Sequence, residues 1–219
     1  MLPGVYEAYR KDHSLYYRSS ITCRGKHISL GSYETEADAS QAYQTACEIL
    51  ENPDVSLEEL IHTPSLLSFE KIVTLTNYRD HRLYIGNPIY LKKGYFIYYL
   101  SPTEEFDIDD LFYYTEHKIL RRHGHLYVND YGMQISLLSR YGIKAHAVSG
   151  RDYSFINGDP FDFRYANIEV INPYYGVCRT QHSGTTRYAA KIHINGNISL
   201  GYFSSAEKAA IAYNKAVDL

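Results

Sequence analysis

Apolar and polar positions alternate in two short stretches, one near each end of the chain. In the later stretch every second residue from Tyr188 to Ile194 is apolar or small, while the alternate residues from Arg187 onward include Lys191 and His193. Alternation with a period of two places these two sets on opposite faces of a strand. A glycine turn and a second alternating stretch follow, which predicts a small antiparallel sheet.

A helix with a stripe of small residues follows each predicted sheet. The stripe recurs at the spacing i, i+3, i+4, i+7, and its members are Ala39, Ala42, Tyr43 and Ala46 in one case and Ala209, Ala212, Tyr213 and Ala216 in the other. Thr35 and the pair Ser204-Ser205 are suitable N-caps. Small side chains allow the helix to pack closely on the sheet. The pattern therefore predicts a three-stranded sheet with a helix on one face, while the opposite face of the sheet is open.

The two ends are copies of one frame. The matched positions occur in the same order, and they are Gly4-Val5 with Gly176-Val177, Tyr17 with Tyr188, Ile21 with Ile192, Gly25 with Gly196, and 28–31 with 198–201. The predicted domains are therefore copy one (1–50), a linker with a short acidic helix (51–66), a middle domain (67–174) and copy two (175–219). In the middle domain, strands are expected at Leu83–Ile85, Tyr95–Leu100 and His125–Asn129. The fold class is α+β.

Composition narrows the function classes. The 219 residues have a formal net charge of −3, with 24 Tyr, no Trp and three Cys in no CxxC pair. A polycation, a disulfide scaffold and a cysteine zinc site are therefore not expected. The N-terminus lacks an apolar signal-peptide core, and the longest apolar run is too short to cross a bilayer. We expect a soluble protein of the cytoplasm, associated with the nucleoid and not with a membrane.

The predicted open faces are basic. We place Arg10, Arg18, Arg24 and Lys26 in or beside this face in copy one, and Arg179, Arg187, Lys191, His182 and His193 in copy two. No Asp or Glu occurs between Tyr175 and Phe203. Such a face suits a groove of duplex DNA, although a merely solvated sheet face would also be polar.

The repeated frame resembles the APETALA2/ethylene-response-factor DNA-binding domain. The motifs that carry the resemblance are RYAAKI, LGYF and AAIAYNKA in copy two, and copy one departs from them at Ser19. The resemblance implies that the sheet reads the major groove of double-stranded DNA. It adds reading positions at Ser20, Thr22, His27 and Ser29 in copy one and at Asn197 and Ser199 in copy two.

The segment YSFINGDPFDFRYANIEVIN, residues 153–172, resembles the core of HNH homing nucleases, a ββα-type domain. The polar frame is kept, but Phe155 stands at the position of the base and Phe163 at a second functional position, which leaves Asn167 as the third. Phenylalanine can neither accept a proton nor hold a metal. The resemblance therefore implies a degenerate nuclease fold without catalytic residues.

The sequence thus predicts a sequence-specific double-stranded DNA-binding protein, a non-cleaving regulator that is derived from a homing nuclease and belongs to a mobile element, a phage or a bacterial chromosome. No metal or cofactor is expected, since His117, His123 and His125 match no zinc spacing. The alternative is an active nickase with a displaced base, for which His146 is the candidate. A third interpretation makes the middle domain a docking module, for a protein partner or a second copy of the chain.

Overall fold

A computed structural model describes residues 2–144 and 147–218 of the chain. The chain divides into two compact units, Met1–Glu116 and His117–Leu219. The predicted α+β class is confirmed, and most of the strands form small three-stranded antiparallel sheets.

Among its described residues, unit one contains six strands, four α-helices and a short 3₁₀ helix at Ile108–Asp110. The strands are β1 (Val5–Tyr9), β2 (Leu15–Cys23), β3 (Lys26–Tyr33), β4 (Ile89–Leu91), β5 (Tyr95–Tyr98) and β6 (Glu104–Asp107). The helices are α1 (Glu36–Glu51), α2 (Leu57–His62), α3 (Phe69–His81) and α4 (Leu111–Glu116). The sheets have the orders β1-β2-β3 and β4-β5-β6, so each consists of strands adjacent in the chain.

Among its described residues, unit two contains eight strands, one α-helix and two short 3₁₀ helices at Leu137–Tyr141 and Tyr165–Asn167. The strands are β7 (Ile119–Arg122), β8 (His125–Asp130), β9 (Met133–Ser136), β10 (Tyr153–Phe155), β11 (Ile168–Val170), β12 (Val177–His182), β13 (Thr185–His193) and β14 (Asn197–Phe203). The helix is α5 (Ala206–Val217). Two sheets have three strands, β7-β8-β9 and β12-β13-β14, and β10 forms a two-stranded sheet with β11.

The two copies share their register as well as their order of elements. The pairing of β2 with β3 shifts between Ser19 and Ser20, and that of β13 with β14 shifts between Ala190 and Lys191, which are the matched positions. The bulge kinks each sheet at the same point.

A glycine at the start of each copy has positive φ and contacts a tyrosine of the helix. A Cβ added to Gly4 would lie 2.0 Å from the Tyr43 ring, and one added to Gly176 would lie 2.2 Å from the Tyr213 ring. Only glycine permits both this backbone conformation and this approach. The same close contact between helix and sheet is therefore built into both copies.

The copies differ in the size of the core behind the sheet. In copy one, α1, α2 and α3 contribute to a single buried cluster that includes Ile28, Leu57 and Leu75. In copy two, the buried cluster of described residues consists of Val177, Ala190 and Ala209. The helix side of the second sheet is consequently much more exposed than that of the first.

Several predicted boundaries differ from the structure. The segment 51–66, expected to be a linker, does contain the short acidic helix, but its Leu57 is buried in the core of copy one. The boundary between the compact units, after Glu116, falls inside the predicted middle domain 67–174. The α3 helix packs with α1, which draws the first part of that range into unit one.

Two predicted elements are wrong. Leu83–Ile85 is not a strand, because the chain leaves α3 through a left-handed Arg82 and the Leu83 carbonyl accepts a hydrogen bond from the Asn77 side chain. The ββα arrangement is present only as its two strands, since residues 171–176 lead from β11 into β12 with no helix among them. The expected strands at Tyr95 and His125 are present as β5 and β8.

Candidate nucleic-acid interface

The register of copy two defines its open face. Val177 and Ala190 are paired and buried on the side of α5, so their neighbours in sequence point to the opposite side. The open face of copy two consists of Cys178, Thr180, His182, Arg187, Ala189, Lys191, His193, Asn197, Ser199 and Tyr202. Six of the seven side chains that the sequence analysis assigns to this face or to its reading positions lie on it, and Arg179 is the exception.

This face is cationic and lacks compensating carboxylates from its own strands. Lys191 and His193 are exposed near the end of β13, and Arg187 is half-buried near the start of the same strand. Copy two as a whole, residues 175–219, has five Lys or Arg against two Asp or Glu, and both acidic residues lie outside the sheet. A local positive potential therefore exists despite the negative net charge of the chain.

Two contacts between side chains order the polar groups of this face. His193 Nδ1 lies 3.1 Å from Asn197 Oδ1 on the adjacent strand. The rings of His182 and Tyr202 stack with their centroids 4.3 Å apart and an interplanar angle of 15°. These contacts restrict four side chains that would otherwise be mobile, which lowers the entropic cost of binding a ligand.

Copy one presents a different open face. A shallow depression of ≈ 370 Å³ is lined by Tyr6, Arg18, Ser20, His27 and Ser29, together with Ser19. Thr22 Oγ1 lies 3.4 Å from His27 Nδ1, at the position where copy two pairs His193 with Asn197. Hydroxyl groups dominate this surface, and residues 1–50 have six Asp or Glu against five Lys or Arg.

Arg24 and Lys26 do not lie on the open face of copy one, so their predicted placement is wrong. Arg24 Nη1 donates a hydrogen bond to the Tyr78 carbonyl oxygen at 3.4 Å, and Lys26 Nζ lies 4.7 Å from the centroid of the Tyr84 ring. The reason is that α3 and the segment after it pack against the end of the β2–β3 hairpin.

Arg179 and Arg10 also differ from the prediction. Arg179 pairs with Tyr188, which packs with the core of copy two, so Arg179 lies on the helix side of the sheet. Arg10 lies beside the open face of copy one, with its guanidinium 5.6 Å from the centroid of the Tyr16 ring, but it forms an ion pair with Glu34. Its charge is therefore largely compensated.

Sequence reasoning missed two exposed tyrosines of the open faces. Tyr6 is 54% exposed on β1, and Tyr202 is 51% exposed on β14. The signal was available, because Val5 is apolar and adjacent to Tyr6, and alternation sends neighbours to opposite faces. Exposed aromatic rings on a polar sheet face can stack on bases or contact sugars.

The segment that resembles a nuclease core forms a tightly bonded loop between β10 and β11. Asn167 Oδ1 accepts a hydrogen bond from the Asn157 backbone N–H at 2.8 Å, and Asn167 Nδ2 donates to the Asp162 carbonyl oxygen at 2.9 Å. The Asp162 carboxylate accepts from Arg164 Nη2 at 2.6 Å and from Asn157 Nδ2 at 2.9 Å. Burial alone would raise the pKa of Asp162, but the hydrogen bonds and charge of Arg164 outweigh it and lower the pKa.

The degenerate positions form part of an aromatic cluster. The rings of Phe155 and Phe163 meet edge to face with centroids 5.7 Å apart, and Phe155 meets Tyr153 in the same way at 5.8 Å. The retained polar residues are engaged within the loop, and the replaced ones pack against each other. The displaced-base candidate His146 lies outside the described residues.

Metal-binding geometry is not found in the described part of the chain. No group of three or more His, Cys, Asp or Glu lies close enough to hold an ion among residues 2–144 and 147–218. His117 Nε2 lies 3.5 Å from Asp130 Oδ1, so this histidine is paired with a carboxylate.

Comparisons with protein-family models, curated proteins and solved structures returned no significant match. Within residues 2–144 and 147–218, no helix combines the length and apolar character needed to cross a membrane.

Proposed function

We propose that the chain binds double-stranded DNA in a sequence-specific manner through the open faces of its two sheets, and that it does not cleave the DNA. The observation that carries the proposal is the open face of copy two, where Arg187, Lys191 and His193 share one side of a bulged strand without a carboxylate. Cations on such a face displace counterions from phosphates, and side chains between them can reach base edges. The resemblance of both copies to a DNA-reading domain supports the same conclusion.

The absence of cleavage rests on Phe155 and Phe163. A hydrolytic nuclease needs a base to take a proton from water and groups that hold a metal at the phosphate. Both aromatic rings pack against each other, and the polar residues around them are engaged in loop hydrogen bonds. The surrounding loop supports a structural role for the retained motif.

The proposal is tested by selecting bound duplexes from a random pool and measuring their affinity at several salt concentrations. Lys191→Gln should weaken binding of the selected duplex about tenfold and lower the salt slope by about one. Lys215→Gln is the matched control, because it makes the same charge change on α5 and off the face. If no duplex binds at low salt, or if the two variants weaken binding equally, the proposed face is wrong.

We further propose that both copies bind one bipartite site, with copy two providing more of the base readout. The difference in local charge and the hydroxyl-rich face of copy one support this division. Two readers on one chain should prefer half-sites separated by about 10 bp or a multiple. Inserting half a helical turn between the half-sites should reduce the affinity, and an unchanged affinity would assign the reading to copy two alone.

A further inference from the structure

Phe155 and Phe163, which occupy the degenerate catalytic positions of the nuclease-like segment, line a cavity. It has a volume of ≈ 300 Å³ and lies within unit two, between the β7–β8–β9 sheet and the β10–β11 loop. Its aromatic lining consists of Tyr153, Phe155, Phe161 and Phe163, and its polar lining includes Arg121, His125, Ser136 and Ser149. This size is at the lower end of the roughly 300–1,000 Å³ typical of small-molecule sites.

Hydrogen bonds to the backbone of Phe161 and Phe163 hold the aromatic wall of the cavity in place. The Phe161 backbone N–H donates to Asp159 Oδ1 at 2.9 Å, and the Phe163 carbonyl oxygen accepts from the Tyr141 hydroxyl at 2.6 Å. The retained frame of the nuclease-like loop therefore fixes the wall of the cavity. A wall fixed before binding loses little entropy when a planar group stacks on it.

A second depression of ≈ 260 Å³ adjoins the first. The two share His125, Leu126 and Ser136, and the second is also lined by Arg122, His123, Tyr127 and Gln134. The stretch from Lys118 to Asn129 contains no Asp or Glu. Arg121 pairs with Leu126 and Arg122 with His125, so the aromatic depression lies on the Leu126 face of the sheet and the cationic one on the Arg122 face. The two depressions meet at the end of the sheet where His125, Leu126 and Ser136 line both.

We propose that this composite site binds a nucleotide, with the base in the aromatic cavity and the phosphate over Arg122 and His123. A planar heteroaromatic ring stacks on aromatic side chains, and the serine hydroxyl groups offer hydrogen bonds to its edge. An anionic tail is drawn to the arginine and can bond to its fork of donors. The bound nucleotide is either a free molecule or one nucleotide of a DNA strand that is flipped out of the base stack, as occurs in proteins that extrude bases. The proposal does not depend on DNA binding by the sheets.

The test uses the full chain and the fluorescent base 2-aminopurine, once as the free 5′-monophosphate and once within an oligonucleotide. The chain has no Trp, so the probe can be excited with little protein background. We expect saturable binding in at least one arm. Saturation by the free nucleotide identifies a small-molecule site, and saturation only within the strand identifies capture of a displaced base.

Variants separate the two halves of the site. Phe161→Ala should weaken binding about tenfold by removing an aromatic wall. Arg122→Gln should weaken the nucleotide several-fold but leave the unphosphorylated nucleoside unaffected. Tyr131→Ala is the matched control, because this ring is 95% exposed and lies outside both depressions.

The outcomes against the proposal are equally definite. Absence of saturation in both arms, or wild-type binding by Phe161→Ala, would overturn it. Equal affinity of the wild-type chain for nucleoside and nucleotide would overturn the assignment of the phosphate. Lys191→Gln, which alters the sheet face of copy two, should leave binding of the free nucleotide unchanged, so a failure of the DNA-binding proposal is distinguishable from a failure of this one.

Discussion

The two copies provide a matched pair of isoleucines for testing what covers each sheet. Ile28 in β3 is 1% exposed, and the corresponding Ile198 in β14 is 49% exposed. In copy one, α3 reaches the end of the hairpin, where the Tyr78 hydroxyl donates to the Cys23 carbonyl oxygen at 3.1 Å. The same truncation at the two sites should therefore have different costs.

The magnitude follows from the burial of each side chain. Ile28→Ala removes a fully buried side chain and leaves a cavity in a core formed by three helices and a sheet, so we expect a loss of about 3 kcal/mol. Ile198→Ala removes a side chain that is already half in water and leaves no enclosed cavity. Only about half of the transfer free energy is lost there, which is about 1 kcal/mol.

Amide hydrogen exchange resolved at the level of individual peptides is the appropriate assay. Two compact units can unfold separately, and a single melting curve would average their stabilities. The opening free energies of amides in β2–β3 and in β13–β14 should fall by the amounts given above. Ile28→Val and Ile198→Val are the graded controls, each expected to cost about 1 kcal/mol or less. Equal losses for the two alanine variants would refute the reasoning and would mean that Ile198 is covered in solution.

Three further predictions concern titration and cleavage. The hydrogen bond from Arg151 lowers the pKa of Asp152 to about 2. The Asp152 carboxylate therefore stabilises the fold above about pH 4, and this stabilisation is lost as the pH falls toward 2. Asp152→Asn should lower the stability of unit two by about 2 kcal/mol at pH 7 and reduce the pH dependence of its acid unfolding. Burial and the hydrogen bond to Asp80 raise the pKa of Tyr90 to about 12, so stability should fall as the pH rises from 10 to 12, and Tyr90→Phe should reduce this loss in alkaline unfolding. Nicking of supercoiled plasmid with magnesium or manganese should be absent, and nicking by the wild-type chain would contradict the structural role assigned to Phe155.

The elements of the two copies were predictable because local pattern and tertiary environment agree there. Alternation identified the strands, and the alanine stripe identified the face of each helix that meets its sheet. The α3 helix was not predicted, because residues 72–79 are all buried and offer no amphipathic pattern. Its Ile, Val and Thr residues also have low helix propensity. Tertiary packing overrides both signals.

The errors at the candidate interface have two different origins. Arg24 occupies a turn with a φ of +48°, where alternation no longer assigns a face, and α3 then determines where its side chain goes. The charge of Arg179 suggested the open face. However, Arg179 is two residues from the buried Val177 in β12, so alternation places both side chains on the helix side of the sheet. Within a strand the sequence contained enough information, whereas at the hairpin end the neighbouring helix had to be known.

The open faces of the two copies have their cations at unmatched positions, and this limits what they can bind. Arg18 of copy one corresponds to Ala189 of copy two, and Lys191 of copy two corresponds to Ser20 of copy one. Because base readout depends on which side chain meets which base edge, two faces with the same backbone and shifted cations should select different sequences. The proposed bipartite site should therefore consist of two unlike half-sites. Selection of a palindrome with identical half-sites would instead indicate that copy two binds as a pair contributed by two chains, with copy one taking no part in base readout.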